Sequence, residues 1–294
     1  SVSTAILLTF HGTVAHLDEL PAFLLRIRRG RPVPPELLEG VRHRYELIGG
    51  SPLLSITERQ AAALAAELGL PVRVAARLWA PEIPEVLARM KAEGVSRVVS
   101  LPLAPQSVSL YHASVKEAAE PLRLEVAEVP AYGLYDELLI AFEATINKAI
   151  EAAERPSSEV DVVLSAHSLP MRVIRSGDAY ETEFREMANA VAARLAGKVR
   201  SVSIAFQSQG ASNEPWLGPD LPATFSSLRT GGSTHVLVAP IGFVAEHVET
   251  LYDLDVEAKK LALEAGFASY SRARALGEAE GFIKALARAA RTCL

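Results

Sequence analysis

The chain has a single cysteine, Cys293, in 294 residues. One thiol closes no intrachain disulfide, and it cannot form the cysteine group that an iron–sulfur cluster or a structural zinc site requires. A reducing cytosol is the simplest expected compartment. Aromatic residues make up only 6% of the sequence, with two tryptophans, so each large ring needs an explanation. There is no basic excess either. A net charge of -5 and a pI of about 5.9 give no electrostatic reason to expect a nucleic-acid partner. No apolar run reaches the roughly 18 residues of a bilayer span. The first residues also lack the charged, apolar and small-residue series of a secretory signal. The expectation is a protein neither integral to a membrane nor secreted.

What is present describes a folded α/β protein. Apolar residues account for 49% and charged residues for 22%, the balance of a globular chain with a sizeable core. Runs rich in Val, Ile and Leu at 5–10, 72–78, 95–103 and 124–129 read as strands. They are separated by stretches of helical periodicity at 57–68 and 82–92. The scheme repeats at 160–164, 201–206, 235–240 and 266–270. The first strand of each half runs into a histidine, His11 or His167, and the third into a proline. Strands alternating with helices predict two similar Rossmann-like lobes, each a four-stranded parallel sheet flanked by helices, with an interlobe cleft at the strand ends. The polar fragment 154–159 is the expected linker. It divides the chain into a first lobe at 1–156, a second at 157–271 and a C-terminal helix within 272–294. Neither His11-Gly12-Thr13 nor His167-Ser168-Leu169 supplies the paired glycines of a dinucleotide loop, so nucleotide redox chemistry is not expected.

The residues able to do chemistry gather at strand ends. Glu249, Asp253 and Glu257 follow one another at four-residue steps, which puts them on one helix face as an acidic row. Such a row is either a solvated face or one that awaits a cation. If it shares a site with His167, one imidazole and one carboxylate meet. That pair can ligate Fe(II) or Zn(II) and can accept protons near neutral pH. His247, two residues before Glu249, joins only through an irregular helix start. Trp216 lies between prolines in Pro215-Trp216-Leu217-Gly218-Pro219, where its face suits either core packing or a flat aromatic ligand.

At this point the chain resembles the ferrochelatases, which insert ferrous iron into a porphyrin at the end of haem synthesis. The resemblance runs through Gly12-Thr13, Ile48 to Leu53, Ser165 to Pro170, Gln207-Ser208 with Trp216 to Pro219, Pro240 to Asp255, and the tail Arg272 to Leu276. It implies that His167 and Glu249 are the catalytic pair, that both with Asp253 and Glu257 handle the metal, and that the acidic row lies on an unusually wide helix. His247 is implied as a residue behind that pair. Residues 17–38 resemble a mobile apolar lip, and the helix within 272–294 is implied to pack back on the first lobe. The resemblance implies porphyrin contacts at His11, Ser51, Pro52, Trp216, Phe23 and Leu24, with nearby arginines pairing to propionates or anionic head groups. Porphyrin and Fe(II) are then substrates, no cofactor is required and no iron–sulfur cluster is expected. Trp79 resembles enzymes acting on protoporphyrin IX more than those acting on coproporphyrin III, where a basic residue nearby is expected, and this makes protoporphyrin IX the favoured substrate. A cobalt or sirohydrochlorin-type chelatase, and a non-catalytic tetrapyrrole carrier, are the other readings. The location implied is the cytoplasm, with the lip as a point of peripheral membrane contact; oligomeric state is left open.

Overall fold

The computed structural model describes residues 3–294. Eight strands form two sheets. In the first, β1 (Thr4–Phe10), β2 (Val72–Ala76), β3 (Arg97–Pro102) and β4 (Glu125–Glu128) are all parallel and lie in the order β2-β1-β3-β4. In the second, β5 (Val160–His167), β6 (Ser201–Gln207), β7 (His235–Ala239) and β8 (Ser269–Arg272) repeat that arrangement as β6-β5-β7-β8. The same order in both sheets is the repetition seen in the sequence. Central β1 and β5 are buried almost throughout, as continuous apolar strands covered on both faces must be.

Each sheet is covered by helices whose apolar residues recur at helical spacing. In the first, Ile83, Val86, Leu87 and Met90 of the helix Ile83–Ala92 pack with Leu7, Val98 and Val115. In the second, Phe184, Met187, Ala188, Val191 and Leu195 form the buried stripe of Tyr180–Leu195. The carboxylate of Asp220 opens the helix Leu221–Thr230 by accepting from the Ala223 N–H at 2.9 Å.

Two compact units result, one made of residues 1–132 with 277–294 and the other of residues 133–276. The breaks therefore fall at 132/133 and 276/277, where the sequence suggested residue 156 and the 271/272 junction. The reason is the helix Asp136–Ala152. It packs on Tyr180–Leu195 of the second unit, and Glu143 meets Arg194 at 3.4 Å. The 154–159 fragment is a turn, with Glu154 in the left-handed region at φ 54°, but it lies inside a unit. The helix Glu280–Arg291 packs on Leu53–Leu68 of the first unit through a stripe that includes Phe282, Ala285, Leu286 and Ala289. Among the described residues no helix is long and apolar enough to cross a membrane.

Candidate functional site

In the second unit, β5 ends at His167 and β7 is followed by the loop that leads into the acidic row. Ser168 ties the end of β5 down. Its N–H donates to Gln207 O at 2.7 Å and its hydroxyl to Leu217 O at 2.6 Å, while the Tyr180 hydroxyl donates to His167 O at 2.8 Å. The loop after β7 presses close to the same strand end. A Cβ on Gly242 would lie 2.5 Å from Ala166 Cβ and 2.7 Å from its Cα, so only glycine fits there. The Gly242 N–H donates to Ser165 O at 3.0 Å.

His247 then opens a short helix, Val248–Leu251. Its Nδ1 accepts from the Glu249 N–H at 3.2 Å, and its own N–H donates to Thr250 Oγ1 at 3.2 Å. The ring is buried 4.9 Å from the ring of Phe243. Burial holds the imidazole below its ordinary pKa and outweighs the neighbouring Glu249 and Glu246, so it stands as a neutral cap. His247 therefore caps the helix start and holds the backbone N–H of Glu249.

The helix widens along the acidic row, where the resemblance implied a wide helix, and not at its start at His247. Residues Asp253–Ala258 form a π segment in which the Glu257 N–H donates to Tyr252 O at 3.1 Å, a bond across five residues. Both ends of this region are clamped by Arg272, whose side chain is 3% exposed. Its Nε and Nη2 donate to Asp255 at 2.8 and 2.7 Å, and its Nη1 donates to Glu246 at 2.6 and 2.9 Å. Asp255 thus faces away from the acidic row and is held by cations.

The outcome is that His167 Nδ1 lies 3.0 Å from Glu249 Oε1. Nδ1 is itself buried, and the carboxylate stands against it as a close polar contact that becomes an ion pair when the imidazole takes a proton. The side chain as a whole is 37% exposed, although Nδ1 itself is buried. Burial pulls the imidazole pKa down, but the charge of Glu249, its hydrogen-bonding reach and the charge of Asp253 together carry it above the ordinary value. Asp253 accepts from the Ser208 hydroxyl. Exposure grades along the row, with Glu249 and Asp253 half-buried and Glu257 exposed.

Of the four expected metal residues, His167 and Glu249 are therefore in contact. Among the described residues no three His, Cys, Asp or Glu side chains are grouped to hold a metal ion, so the four do not make one cage. Carboxylates four residues apart step about 6 Å along a helix axis, which suits successive stations.

Trp216 is half-buried. Its ring lies over Gly210, where a Cβ would come within 2.7 Å, and its Nε1 donates to Ser212 O at 3.2 Å. Leu217 N–H and Met171 N–H tie this stretch to the loop after β5.

The remaining expected residues lie in the first unit. His11 follows β1, and its carbonyl accepts from the Leu78 N–H at 2.8 Å. Ser51 and Pro52 are half-buried just before the helix Leu53–Leu68. Phe23 and Leu24 are not free to meet a ligand. They are buried with Leu20, because positions 20, 23 and 24 share one face of the helix Leu20–Ile27. The exposed large apolar residues of that helix are Leu25 and Ile27. Trp79 is part of the same packing. Its ring meets Phe23 edge-on at 5.5 Å, Arg26 stacks over it at 4.6 Å, and its Nε1 donates to Glu19 at 3.2 Å.

Gln207 and Arg272 stood inside quoted motifs without a role. The register that sets Gln207 opposite His167, and the fold that brings Arg272 to Asp255, leave no signal in a linear pattern.

A family model described as Ferrochelatase matches residues 3–294. The chain belongs to the ferrochelatase family. A "Ferrochelatase" of Acidobacterium capsulatum is 36% identical, over 99% of this chain and 94% of the relative. A "Coproporphyrin III ferrochelatase" of Geobacillus kaustophilus is 35% identical, over 97% of this chain and 94% of the relative, and one of Bacillus subtilis is 34% identical over 96% and 95%. Among solved structures, SirB from Bacillus subtilis with Fe3+ covers 99% of this chain and 96% of its own at a TM-score of 0.64 and 14% identity, a likeness of fold. This ferrochelatase is accordingly an enzyme of haem synthesis that inserts iron into a porphyrin, and the carrier and corrin-pathway readings fall away.

Proposed function

We propose that insertion takes place at the His167–Glu249 pair and that the preferred ring is coproporphyrin III. The 3.0 Å approach of one imidazole to one carboxylate carries the first part. Metal insertion needs the ring bent out of plane, two pyrrole protons removed and the metal stripped of water. With its pKa raised by the facing carboxylates, His167 is the stronger base of the pair, and its partly exposed imidazole is where a pyrrole proton would arrive. Glu249 receives the metal or passes protons outward to Asp253 and Glu257. The grading of that row from exposed to half-buried lets a cation exchange water for carboxylate oxygens in stages. Apolar contact with the ring periphery, including Trp216, supplies the binding energy that holds the bend. No cofactor enters, and the single Cys293 offers no cluster site.

The preference for protoporphyrin IX rested on Trp79, and two observations support the more carboxylated ring instead. Trp79 is engaged by Phe23 and Glu19 and carries the Arg26 guanidinium over its face, so a basic residue does stand beside it. Relatives of about one-third identity bear the name coproporphyrin III ferrochelatase. Anaerobic initial rates of ferrous or zinc insertion into both rings, followed by the visible spectrum, test this. Faster turnover of protoporphyrin IX overturns it.

Leu25 and Ile27, exposed beside Arg26 and Arg29, make the lip the proposed point of contact with an anionic membrane surface on the cytoplasmic side. Glu249→Gln keeps the side-chain shape and removes the charge. It is expected to slow insertion by about 100-fold or more while porphyrin binding, read by fluorescence quenching, stays within about twofold. Unchanged turnover refutes the role of Glu249.

A further inference from the structure

The spacing of the catalytic pair depends on two side chains, Gln207 and Ser208, that sit at the end of β6. In the sheet register Gln207 lies directly opposite His167. Its carboxamide is buried and fully directed. The oxygen accepts from the Ser165 hydroxyl at 2.8 Å, and the NH2 donates to the backbone carbonyl of Glu249 at 2.9 Å. Ser165 is two residues before His167 on β5, so the two side chains share a strand face. A chain of bonds therefore runs from the strand that carries His167, through one amide, to the residue that carries the facing carboxylate.

The next residue extends this chain. Consecutive side chains of a regular strand point to opposite faces. Ser208 departs from the strand into the left-handed region at φ 61°, which residues other than glycine seldom occupy. With that turn its hydroxyl lies 3.2 Å from Gln207 Nε2 and donates to Asp253, so adjacent side chains reach the first and second carboxylate-bearing residues of the row. A helix anchored only by its own cap at His247 would be free to slide along the sheet edge. Two contacts one helical turn apart fix its position as well as its rotation.

We propose that Gln207 and Ser208 form a strut that sets the distance and facing of His167 and the acidic row, with Gln207 as the principal positioning residue and Ser165 as the group that orients its amide. This rests on the chelatase reading of the His167–Glu249 pair.

The test compares Gln207→Met, Ser165→Ala and Phe225→Leu with the parent chain, using zinc insertion into a porphyrin and the thermal midpoint of each. Methionine fills nearly the same space without the bonds to Ser165, Ser208 and Glu249. Phe225 lies in the core of the same unit, against Phe267 and Tyr270, and serves as a control for loss of stability alone. The expected result for Gln207→Met is a kcat lowered about tenfold or more with KM for the porphyrin within about twofold. Ser165→Ala keeps the amide but releases its orientation, for a loss of about threefold. Phe225→Leu lowers the midpoint and keeps kcat. The strut is overturned if Gln207→Met and Ser165→Ala both turn over at the parent rate, or if Phe225→Leu loses as much kcat as they do. Should Gln207→Met fail to fold, Ser165→Ala decides by the same criterion. A parent chain that inserts no metal overturns the chelatase reading and the strut together, whereas an active parent with active variants overturns the strut alone.

Discussion

Replacing Arg272 by methionine isolates the clamp on the wide helical segment. The guanidinium donates to both oxygens of Asp255 and both of Glu246, and its side chain is 3% exposed, so the variant leaves two carboxylates without their buried cation. Removing one partner of a buried ion pair costs about 3–5 kcal/mol. Asp255 keeps Arg274 at 3.5 Å and is one-third exposed, so its share is partly recovered through solvent and that second cation. Glu246, 19% exposed, retains only the Thr250 hydroxyl and the Ala275 N–H. The lower end, about 3 kcal/mol, is therefore expected. At about 2–4 °C per kcal/mol, the midpoint falls by about 6–12 °C. Acid dependence supplies the second readout. Burial pushes the Glu246 carboxyl up, but the Arg272 charge and hydrogen bonds, the Thr250 hydroxyl and the Ala275 N–H hold it below its ordinary value of 4.5. A carboxylate depressed in the folded state adds stability that is complete above its unfolded pKa and is lost as pH falls through the folded one. The parent midpoint should thus drop on acidification below about pH 4.5, and Arg272→Met should lose that part of the slope. Scanning calorimetry at stepped pH measures both. A midpoint within about 2 °C of the parent, or an unchanged acid limb, refutes the clamp.

Two further substitutions probe the geometry around the pair. Gly242→Ala drives a Cβ to within 2.5 Å of Ala166 Cβ, against backbone that cannot swing aside, and should cost about 1–3 kcal/mol by denaturant titration together with a fall in kcat from displacement of His167; a variant of parent stability and rate would contradict the close approach. His247→Ala removes the cap on the Glu249 N–H and should cost about 1 kcal/mol, with His247→Asn recovering most of it in the same titration. Equal losses in the two variants would show that capping is not what His247 contributes.

Most of the fold was legible because buried parallel strands announce themselves as short Val, Ile and Leu runs, and because the chain states the pattern twice. Seven of the eight strands fall where such runs occur, while β8 (Ser269–Arg272) has no Val, Ile or Leu and meets the expected 266–270 at two residues. The unit boundary was misread for a physical reason: residues 154–159 look like a linker and do form a turn, yet what decides membership is the packing of Asp136–Ala152 on Tyr180–Leu195, a contact between helices far apart in sequence. The site divides in the same way. His167 and the acidic row carry their chemistry in their residue types. The wide helix that the resemblance implied under the acidic row is the π segment Asp253–Ala258, whereas the helix start needs no widening because His247 serves as its cap. Phe23 and Leu24 were read as ligand contacts from their place in an apolar segment. Which face of a short helix turns inward depends on neighbours such as Trp79, and no local pattern gives that.

The helix Glu280–Arg291 follows every residue of the second unit in chain order but belongs to the first. The unit bearing His167 and the acidic row is a continuous stretch that can close as soon as residue 276 has been made. The unit bearing β1 must wait, with the apolar faces of Leu53–Leu68 uncovered, until the last helix arrives. Synthesis thus completes the two halves in the reverse of the order in which it begins them, and the half that starts first is the one left open to wrong contacts for longest.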